Sequence, residues 1–570
     1  MAPPATQAID GAVTPDDVNL GALVRAHWQG IVSEAFASGR LKPLVLPYCL
    51  FGVYILPILW LTIPHVHRPW LYRSRWALMA FICIFSAAMI PHRTSANPAF
   101  AYAVGLVAAW GVLANLNLLV WTRPQWEAAR IVKRRSSSMA APARELPDAT
   151  RSNVHSNPTE SASRPRRRKI DVMTPPPLHA EDCVATEQPR GQAQAQTETP
   201  AYDYVWQAFP ADGPFLTRLN WVSDLVLNFR CGGWNTAISS VPRPRIEGGQ
   251  VQDGDLVDMA SIPIISKGGY RRCLTEAAFV RRRLSRFVVA YLLLDFLSVV
   301  MMKDPFFILG PDHKELHNYA LPLPLRGLPT PALSALRQLL SLAGVVGAIV
   351  AVFSVADLAQ YYLGRGLFPS WGELWAHTDS YGSVLEILDR GLAGWWGSWW
   401  HQTFRLQFSA PAKYLQRHGH LPQRRSITGA LVTLLVSFGQ SGLLHSCGSV
   451  SAMPPTKPWR APVFFLSQAV GILVQAGLSA ALARCMPARL PRPTRRVTNL
   501  AFTLAWLYVT APVFVNDLAS TGLWLLEPVP VSPLRFFGFG HPTDHWLRWT
   551  RDYYPTWFAD SAWWRSGLAM

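Results

Sequence analysis

The sequence predicts an all-α, polytopic membrane protein with about eight transmembrane helices. Half of its 570 residues are hydrophobic and only 15% are charged, whereas soluble domains carry about 25% charged residues. Several uncharged runs are long enough to cross the roughly 30 Å of bilayer hydrocarbon as a helix that rises about 1.5 Å per residue. These observations assign the chain to the bilayer rather than to water.

The eight predicted spans fall into two groups. Six are uncharged apolar runs: 43–64, 76–91, 98–121, 427–448, 461–483 and 497–515. Two more, 287–302 and 339–363, each contain one carboxylate, Asp295 and Asp357 respectively. A carboxylate that faces lipid costs on the order of 2.5–3.5 kcal/mol, so both side chains are expected to point inward. Two roles are open for these carboxylates: each can pair with an interior arginine or orient a histidine.

The net charge of +18, from 53 Lys and Arg against 35 Asp and Glu, predicts membrane orientation. The basic residues lie between apolar runs, which argues against nucleic acid as a partner. Eight spans place the arginine-rich segments on one side, predicted cytosolic: 68–75, 123–135, 281–286 and 484–496. The sparse loops 92–97 and 449–459 and both termini are then lumenal. The seven cysteines form no C-x-x-C pair, so no metal site is expected.

Composition divides the chain into five segments. A lumenal N-terminal tail, 1–42, precedes three transmembrane helices in 43–121. Residues 122–200 are predicted to be a disordered cytosolic insert, because they are rich in Ser, Pro and Arg and poor in aromatic residues. Residues 201–530 form a core with about five transmembrane helices. The tail 531–570 is too aromatic and polar to span the bilayer and too apolar to lie free in water, so it is expected at the membrane interface.

The segment 391–414 places tryptophans immediately before a histidine and an arginine: Trp395, Trp396, Trp399, Trp400, His401 and Arg405. If the segment is helical, Trp396 and Trp400 share a face, and His401 and Arg405 share another. One interpretation is an interfacial aromatic belt with a snorkelling arginine. The other is a ligand site, in which the guanidinium binds phosphate and the indoles bind an acyl chain or adenine ring.

The sixth predicted span carries a polar stripe along one side. Its members recur every four residues: Thr433, Ser437, Ser441 and His445. Such a stripe is expected to face protein or a cavity rather than lipid. Ordinary packing between helices is the alternative to a functional site.

Three motifs occur in a characteristic order: F-P-S-W-G-E-L-W (368–375), G-W-W-G-S-W-W-H-Q-T-F-R (394–405) and S-G-L-L-H (441–445). This order resembles the wax synthase-like branch of the membrane-bound O-acyltransferases, the long-chain-alcohol O-fatty-acyltransferases of plants and fungi and their acetyltransferase relatives. The upstream L-N-F-R-C-G-G-W-N (227–235) resembles a segment that precedes the spans in fungal members. The resemblance covers roughly 215–520 and makes 201–530 an acyltransferase core.

The resemblance implies acyl transfer from coenzyme A to a hydrophobic alcohol, with His445 as catalytic base and His401 as the second catalytic residue. Trp400, Gln402 and Arg405 are expected to bind the acyl donor. The cosubstrate is acetyl-CoA or another acyl-CoA, with no permanently bound cofactor. Fungal relatives of this type acetylate hydroxyls of secondary metabolites such as terpenoids, and a long-chain wax ester synthase is the alternative. The expected location is the endoplasmic reticulum membrane.

The residues suit this chemistry, because an alcohol becomes a good nucleophile only as it loses its proton, and an imidazole is a suitable base. A Trp indole N–H, Gln402 or His401 can stabilise the thioester oxyanion. Cytosolic cations are expected to hold the donor's phosphates: Arg405, Lys413, Arg417, Arg424 and Arg425.

Two features of the sequence depart from the pattern and the chemistry that the resemblance implies. Ser446 follows the histidine where plant members often carry an acidic residue, so a carboxylate partner must come from elsewhere, and Asp357 is the candidate. On a straight helix from Ile427, His445 lies about 27 Å along, near the lumenal end. The donor must therefore reach through a tunnel, or the Trp-rich segment must fold back into the bilayer.

The alternative to an acyltransferase is a protein of another functional class, a proton-coupled transporter. Its relay would consist of the intramembrane groups Asp295, Asp357 and His445.

Overall fold

The computed structural model describes residues 18–135, 202–246, 249–423, 426–485 and 490–570. The chain divides into two units, Met1–Lys133 with Tyr204–Met570, and Arg134–Asp203. The first unit is a helical bundle, which confirms the predicted all-α membrane fold. Residues 136–200, the greater part of the predicted insert, lie outside the described residues, as do 1–17 of the predicted N-terminal tail.

The longer helices are numbered here in chain order, and shorter turns are left without labels. They are α1 (Leu20–Ala37), α2 (Tyr48–Thr62), α3 (Pro69–His92), α4 (Pro98–Trp121), α5 (Phe215–Leu227), α6 (Glu276–Lys303), α7 (Thr330–Gly364), α8 (Leu385–Gly394), α9 (Arg405–Arg417), α10 (Ile427–Ser451), α11 (Arg460–Cys485) and α12 (Arg492–Ser520).

Short strands cover little of the described chain. They are β1 (Lys42–Pro43), β2 (Val45–Leu46), β3 (Arg93–Thr94), β4 (Arg130–Arg135), β5 (Tyr202–Gln207), β6 (Thr556–Phe558) and β7 (Gly567–Ala569). Strand β1 pairs in parallel with β3, and β2, β7 and β6 form an antiparallel sheet in that order.

Side-chain caps begin several of the long helices. Asn97 accepts hydrogen bonds from the N–H groups of Ala99 and Phe100 at the start of α4. Ser426 accepts one from Gly429 N at the start of α10. Such caps satisfy N–H groups that have no partner within the helix.

Seven described helices are long and apolar enough to cross a membrane: α3, α4, α6, α7, α10, α11 and α12. They correspond to seven of the eight predicted spans. The remaining prediction, 43–64, overestimates the length of α2, because the helix covers only Tyr48–Thr62. Pro47 and Pro64 flank α2 and keep it short, since proline disfavours helix in the residue before it and donates no N–H.

The bundle has two ends: the terminal face, which contains the loops 92–97 and 449–459, and the loop face, which contains the segments around Gln125 and Arg218. At the terminal face, Lys42 pairs with Arg93, Val45 pairs with Ala569, and the Thr94 hydroxyl donates to the Ser451 carbonyl. The loops 92–97 and 449–459, predicted to share a side, therefore lie together with the C-terminal tail.

Helix α2 is short, but it reaches from the terminal face to the loop face. It begins beside β2 at the terminal face and ends at the loop face. There the Gln125 amide donates to Leu61 O at 2.6 Å and Arg218 Nε donates to Thr62 O at 3.1 Å. The chain thus passes from one face to the other between β2 and the start of α3.

Two predicted segments contain more ordered structure than expected. Residues 122–135 of the predicted disordered insert form a short helix and β4, because Ile131 packs in a buried cluster with Trp206 and Trp375. In the tail 531–570, Arg535 forms ion pairs with Glu527 and Asp544. An interfacial location of this tail stays a prediction.

Candidate active site

A cavity of about 1490 Å³ lies inside the bundle. Its wall is formed by side chains of α4, α7, α10, α11 and α12 and by the Trp-rich segment that follows α8. All five predicted site residues line it: Trp400, His401, Gln402, Arg405 and His445. The fold therefore brings together two motifs that are about 40 residues apart in the sequence.

His445 lies among aromatic rings on the cavity side of α10. Its imidazole stacks on Phe465 with centroids 5.1 Å apart and an interplanar angle of 9°, and it meets Phe514 edge-on at 5.1 Å. Both phenyl rings limit rotation of the imidazole. The histidine is held in one orientation by packing.

Tyr102 of α4 is the hydrogen-bond partner of His445. Its hydroxyl oxygen lies 3.1 Å from His445 Nδ1 and 3.3 Å from the His445 carbonyl oxygen. One consistent arrangement has the hydroxyl donating to the carbonyl and accepting Nδ1–H. Nε2 then keeps its lone pair, as a general base requires. The close approach depends on Gly105, where a Cβ would lie 1.9 Å from Cys447 O of α10.

The Trp-rich segment is not one continuous helix, so the shared faces expected for a helix hold only in part. Helix α8 and a wider turn, Trp395–Trp399, end where Trp400 adopts an extended conformation (φ −60°, ψ 147°), and α9 begins only at Arg405. His401 and Arg405 therefore do not share a helix face. Trp396 and Trp400 remain in contact, with ring centroids 5.6 Å apart.

Gln402 and Arg405 bind the backbone carbonyls that this interruption leaves without helical partners. Gln402 Nε2 donates to Trp396 O at 2.9 Å and to Trp400 O at 2.7 Å. Arg405 Nη1 donates to Gly397 O at 2.6 Å and to Gln402 Oε1 at 2.7 Å. Both side chains shape the cavity wall, and their predicted contact with an acyl donor stays a prediction.

His401 presents its imidazole between Trp400 and Phe404, at centroid distances of 5.3 and 5.9 Å. Its Nδ1 is buried and has no hydrogen-bond partner in the described part of the chain. Burial lowers the pKa of His401 to about 3, and His445 and Arg230 act in the same direction. The imidazole is therefore neutral near pH 7 and can exchange a hydrogen bond with a bound substrate.

The Trp-rich segment folds back into the bundle, which resolves the distance problem posed by a straight α10. Trp396 contacts Phe438 of α10 and Phe465 of α11 at centroid distances of 5.8 and 5.9 Å. The same Phe465 ring stacks on His445. The backbone here is irregular but enclosed by protein, the condition under which such backbone is tolerated at membrane depth.

The polar stripe of α10 faces the cavity, as predicted, because each of its members lines the wall: Thr433, Ser437, Ser441 and His445. The Ser437 hydroxyl also donates to Phe408 O of α9 at 3.1 Å. The stripe thus combines cavity lining with helix packing.

Asp295 and Asp357 both point inward, as predicted. Asp295 accepts hydrogen bonds from the Ser532 hydroxyl and Leu534 N and does not line the cavity. Asp357 lies 2.6 Å from Arg283 Nε and 3.7 Å from His377 Nδ1. These pairings hold Asp295 and Asp357 with partners other than His401 and His445, so neither of these two carboxylates orients His445 and Asp295 forms no relay with it.

Sequence reasoning missed Tyr102 and Arg230, which both line the cavity. Tyr102 sits in an apolar span, with no signal linking it to a histidine 343 positions away. Arg230 lies within the L-N-F-R-C-G-G-W-N motif, and that motif could have identified it as a candidate site residue. Among the predicted phosphate-binding cations, Arg417 forms an ion pair with Glu127 at 3.3 Å and does not line the cavity. Residues 424–425 lie outside the described residues. The described chain contains no group of metal-ligating side chains.

Comparison with protein families confirms the resemblance. Residues 369–467 match the membrane bound O-acyl transferase family. The matched segment includes the Trp-rich segment, α9 and α10, and therefore both cavity histidines.

Curated fungal proteins are similar over shorter stretches. The chain is 33% identical over 149 residues to the O-mevalon transferase yanI of Aspergillus niger, covering 24% of this chain and 32% of that protein. It is 25% identical over 140 residues to the acetyltransferase spyB of Aspergillus fumigatus, covering 22% and 24%. It is 28% identical over 155 residues to the acetyltransferase aurG of Calcarisporium arbuscula, covering 27% and 37%. The matches thus span about a quarter to just over a third of these relatives, and no solved structure matches the chain.

Proposed function

We propose that this multi-pass membrane protein, whose residues 369–467 match the membrane bound O-acyl transferase family, is an acyltransferase that acylates the hydroxyl of a hydrophobic alcohol. The observation that carries the proposal is the cavity with His401 and His445 on its wall. Its volume of about 1490 Å³ exceeds the roughly 300–1,000 Å³ of common ligand sites. Such a space accommodates a thioester arm together with an acceptor.

The cavity wall between α7 and α12 supports a hydrophobic acceptor. Leu339 and Val352 of α7 line the cavity and are 61% and 66% exposed. Leu504 and Tyr508 of α12 also both line it and are exposed. These side chains give the cavity an accessible apolar wall, which suits an apolar alcohol as the acceptor.

In the proposed reaction, His445 Nε2 takes the hydroxyl proton as the alcohol oxygen attacks the thioester carbonyl carbon. The C–O bond forms, the C–S bond breaks, and the coenzyme A thiolate leaves and receives the proton from the imidazolium. His401, neutral and with an unpartnered Nδ1, is suited to donate a hydrogen bond to the oxyanion. Arginine side chains on the loop face meet the donor as it arrives from the predicted cytosolic side.

We propose acetyl-CoA as the donor and a fungal secondary metabolite such as a terpenoid alcohol as the acceptor, acting in the endoplasmic reticulum membrane. The acetyltransferase names of spyB and aurG support the acetyl group. A long-chain wax ester synthase is the alternative within the same chemistry.

Product analysis tests the proposal. Purified protein is given radiolabelled acetyl-CoA or palmitoyl-CoA with a panel of terpenoid, sterol and long-chain alcohols. We expect an acetyl ester of a terpenoid alcohol as the product, and about 10²-fold less of it from His445→Ala protein. Exclusive palmitoyl ester formation would favour the wax synthase, and solute flux without thioester cleavage would favour a transporter.

Replacing Tyr102 with phenylalanine is expected to lower kcat about 10-fold, because the ring remains while the hydroxyl contacts at 3.1 and 3.3 Å to His445 are lost. A net hydrogen bond contributes about 1 kcal/mol, and loss of the favoured tautomer adds to it. The measurement is kcat together with KM for acetyl-CoA near pH 7, and kcat should fall while KM stays unchanged. Tyr414→Phe is the matched control, because no hydrogen bond of that hydroxyl occurs among the described contacts. Equal kcat for Tyr102→Phe and wild type, or a change in KM alone, would contradict this role.

A further inference from the structure

Arg230 lies in a turn that immediately follows α5. Asn228 organises the turn: its carbonyl accepts from Cys231 N at 3.0 Å, and its side-chain Oδ1 accepts from Gly232 N at 3.0 Å. Cys231 adopts a positive φ of 51°, which is uncommon for a residue with a side chain. The turn extends Arg230 to the cavity wall at the loop face.

The Arg230 guanidinium is held by uncharged partners. Nη1 donates to the Asp379 carbonyl oxygen at 2.7 Å and Nη2 to the Thr378 carbonyl oxygen at 3.3 Å. Its Cζ lies 5.7 Å from the Phe353 ring centroid. No ion pair with a carboxylate is formed by Arg230 in the described part of the chain. Since an arginine has five N–H donors and stays charged, it retains donors for a further anionic partner.

The neighbouring charges do not neutralise Arg230. Asp379 is shared by three arginines: Arg282 at 2.6 Å, Arg283 at 3.3 Å and Arg286 at 2.7 Å. Burial acts to raise the pKa of Asp379, but hydrogen bonding to Arg282 and the charges of Arg286 and Arg282 more than offset it, so the pKa is lowered.

Asp357 adds the second carboxylate of the cluster and pairs with Arg283 at 2.6 Å. Four guanidinium groups, including that of Arg230, therefore meet two carboxylates. The cluster carries excess positive charge where the cavity meets the loop face. Burying an unpaired charge is costly unless a counter-ion accompanies it.

We propose that Arg230 binds a phosphate group of the coenzyme A donor and so positions the thioester for His401 and His445. The inference rests on the proposed acyltransferase function and adds a residue to it. A guanidinium forms two parallel hydrogen bonds with phosphate oxygens. The two carbonyl bonds hold its plane fixed, so little rotamer entropy is lost when the phosphate binds.

The test compares two donors that share the same thioester arm: acetyl-CoA, which has phosphates, and S-acetylpantetheine, which has none. Arg230→Gln should raise KM for acetyl-CoA about 10- to 100-fold, the range expected for a charge-assisted hydrogen bond, and change kcat/KM for S-acetylpantetheine less than twofold. Arg230→Lys, which keeps the charge, should recover part of the loss. Arg281→Gln, an exposed arginine of α6, is the control and should leave both donors unaffected.

Each outcome separates the inference from the proposed function. If wild-type protein turns over neither thioester, the proposed function is wrong. If it is active and Arg230→Gln impairs both donors equally, or neither, Arg230 does not bind the phosphates. Unmutated protein gives an independent readout: inorganic pyrophosphate should compete with acetyl-CoA but not with S-acetylpantetheine, and inhibition of both donors or of neither would overturn the inference.

Discussion

His445→Ala is expected to lower turnover about 10²-fold or more, because a positioned general base contributes about 10²–10⁴-fold. The bundle should stay folded, since alanine is the best helix former and Phe465 and Phe514 also pack on Phe464. The measurement is single-turnover acyl transfer by purified protein, with the thermal midpoint recorded in parallel. Lost turnover at an unchanged midpoint is the expected result.

His401→Ala supplies the contrast. It should act through the donor and the oxyanion, raising the donor's KM and lowering kcat less than His445→Ala does. Because burial lowers the pKa of His401 to about 3, this residue should cause no inflection in kcat between pH 5 and 8. Near-normal turnover of His445→Ala, together with an inactive His401→Ala, would reassign the base to His401.

Gly391→Ala is expected to destabilise the protein by about 3 kcal/mol and to reduce activity strongly. Gly391 has φ 59° and ψ −136° inside α8, a conformation that costs a residue with a side chain roughly 1–3 kcal/mol. A Cβ there would lie 1.9 Å from Gln475 Nε2. It would displace the amide whose Oε1 accepts from Leu392 N at 2.9 Å, and a lost buried hydrogen bond costs about 1–3 kcal/mol.

The activity loss should exceed what partial unfolding explains, because α8 leads directly into the segment that carries His401. A displacement of about 1 Å in a catalytic group can lower the rate about 10²-fold. Gly397→Ala is the matched control: the nearest atom to its added Cβ is Arg390 Nη2 at 3.9 Å, so it should be tolerated. Thermal midpoint and turnover of the two variants are compared, and equal behaviour would show that the Gly391 conformation is not required.

The sequence alone determined the membrane fold and the cavity side of α10. Apolar length predicts spans because the hydrocarbon core of a bilayer is about 30 Å thick, and the positions of α3, α4, α6, α7, α10, α11 and α12 follow from it. The four-residue spacing between consecutive members of the stripe from Thr433 to His445 predicts a side that faces protein or a cavity, because helical periodicity is local. The length of α2 was overestimated, since hydropathy does not register where prolines end a helix.

Only the tertiary structure decided how the site is assembled. The break at Trp400 depends on Gln402 and Arg405 binding the freed carbonyls, a compensation that local propensity does not report. The contact of Tyr102 with His445 joins residues 343 positions apart, and nothing in either segment specifies the other. Arg230 likewise acquires its position from Asp379. Periodicity and hydropathy are properties of neighbouring residues, whereas a site is made of contacts between distant segments that form only when the helices pack.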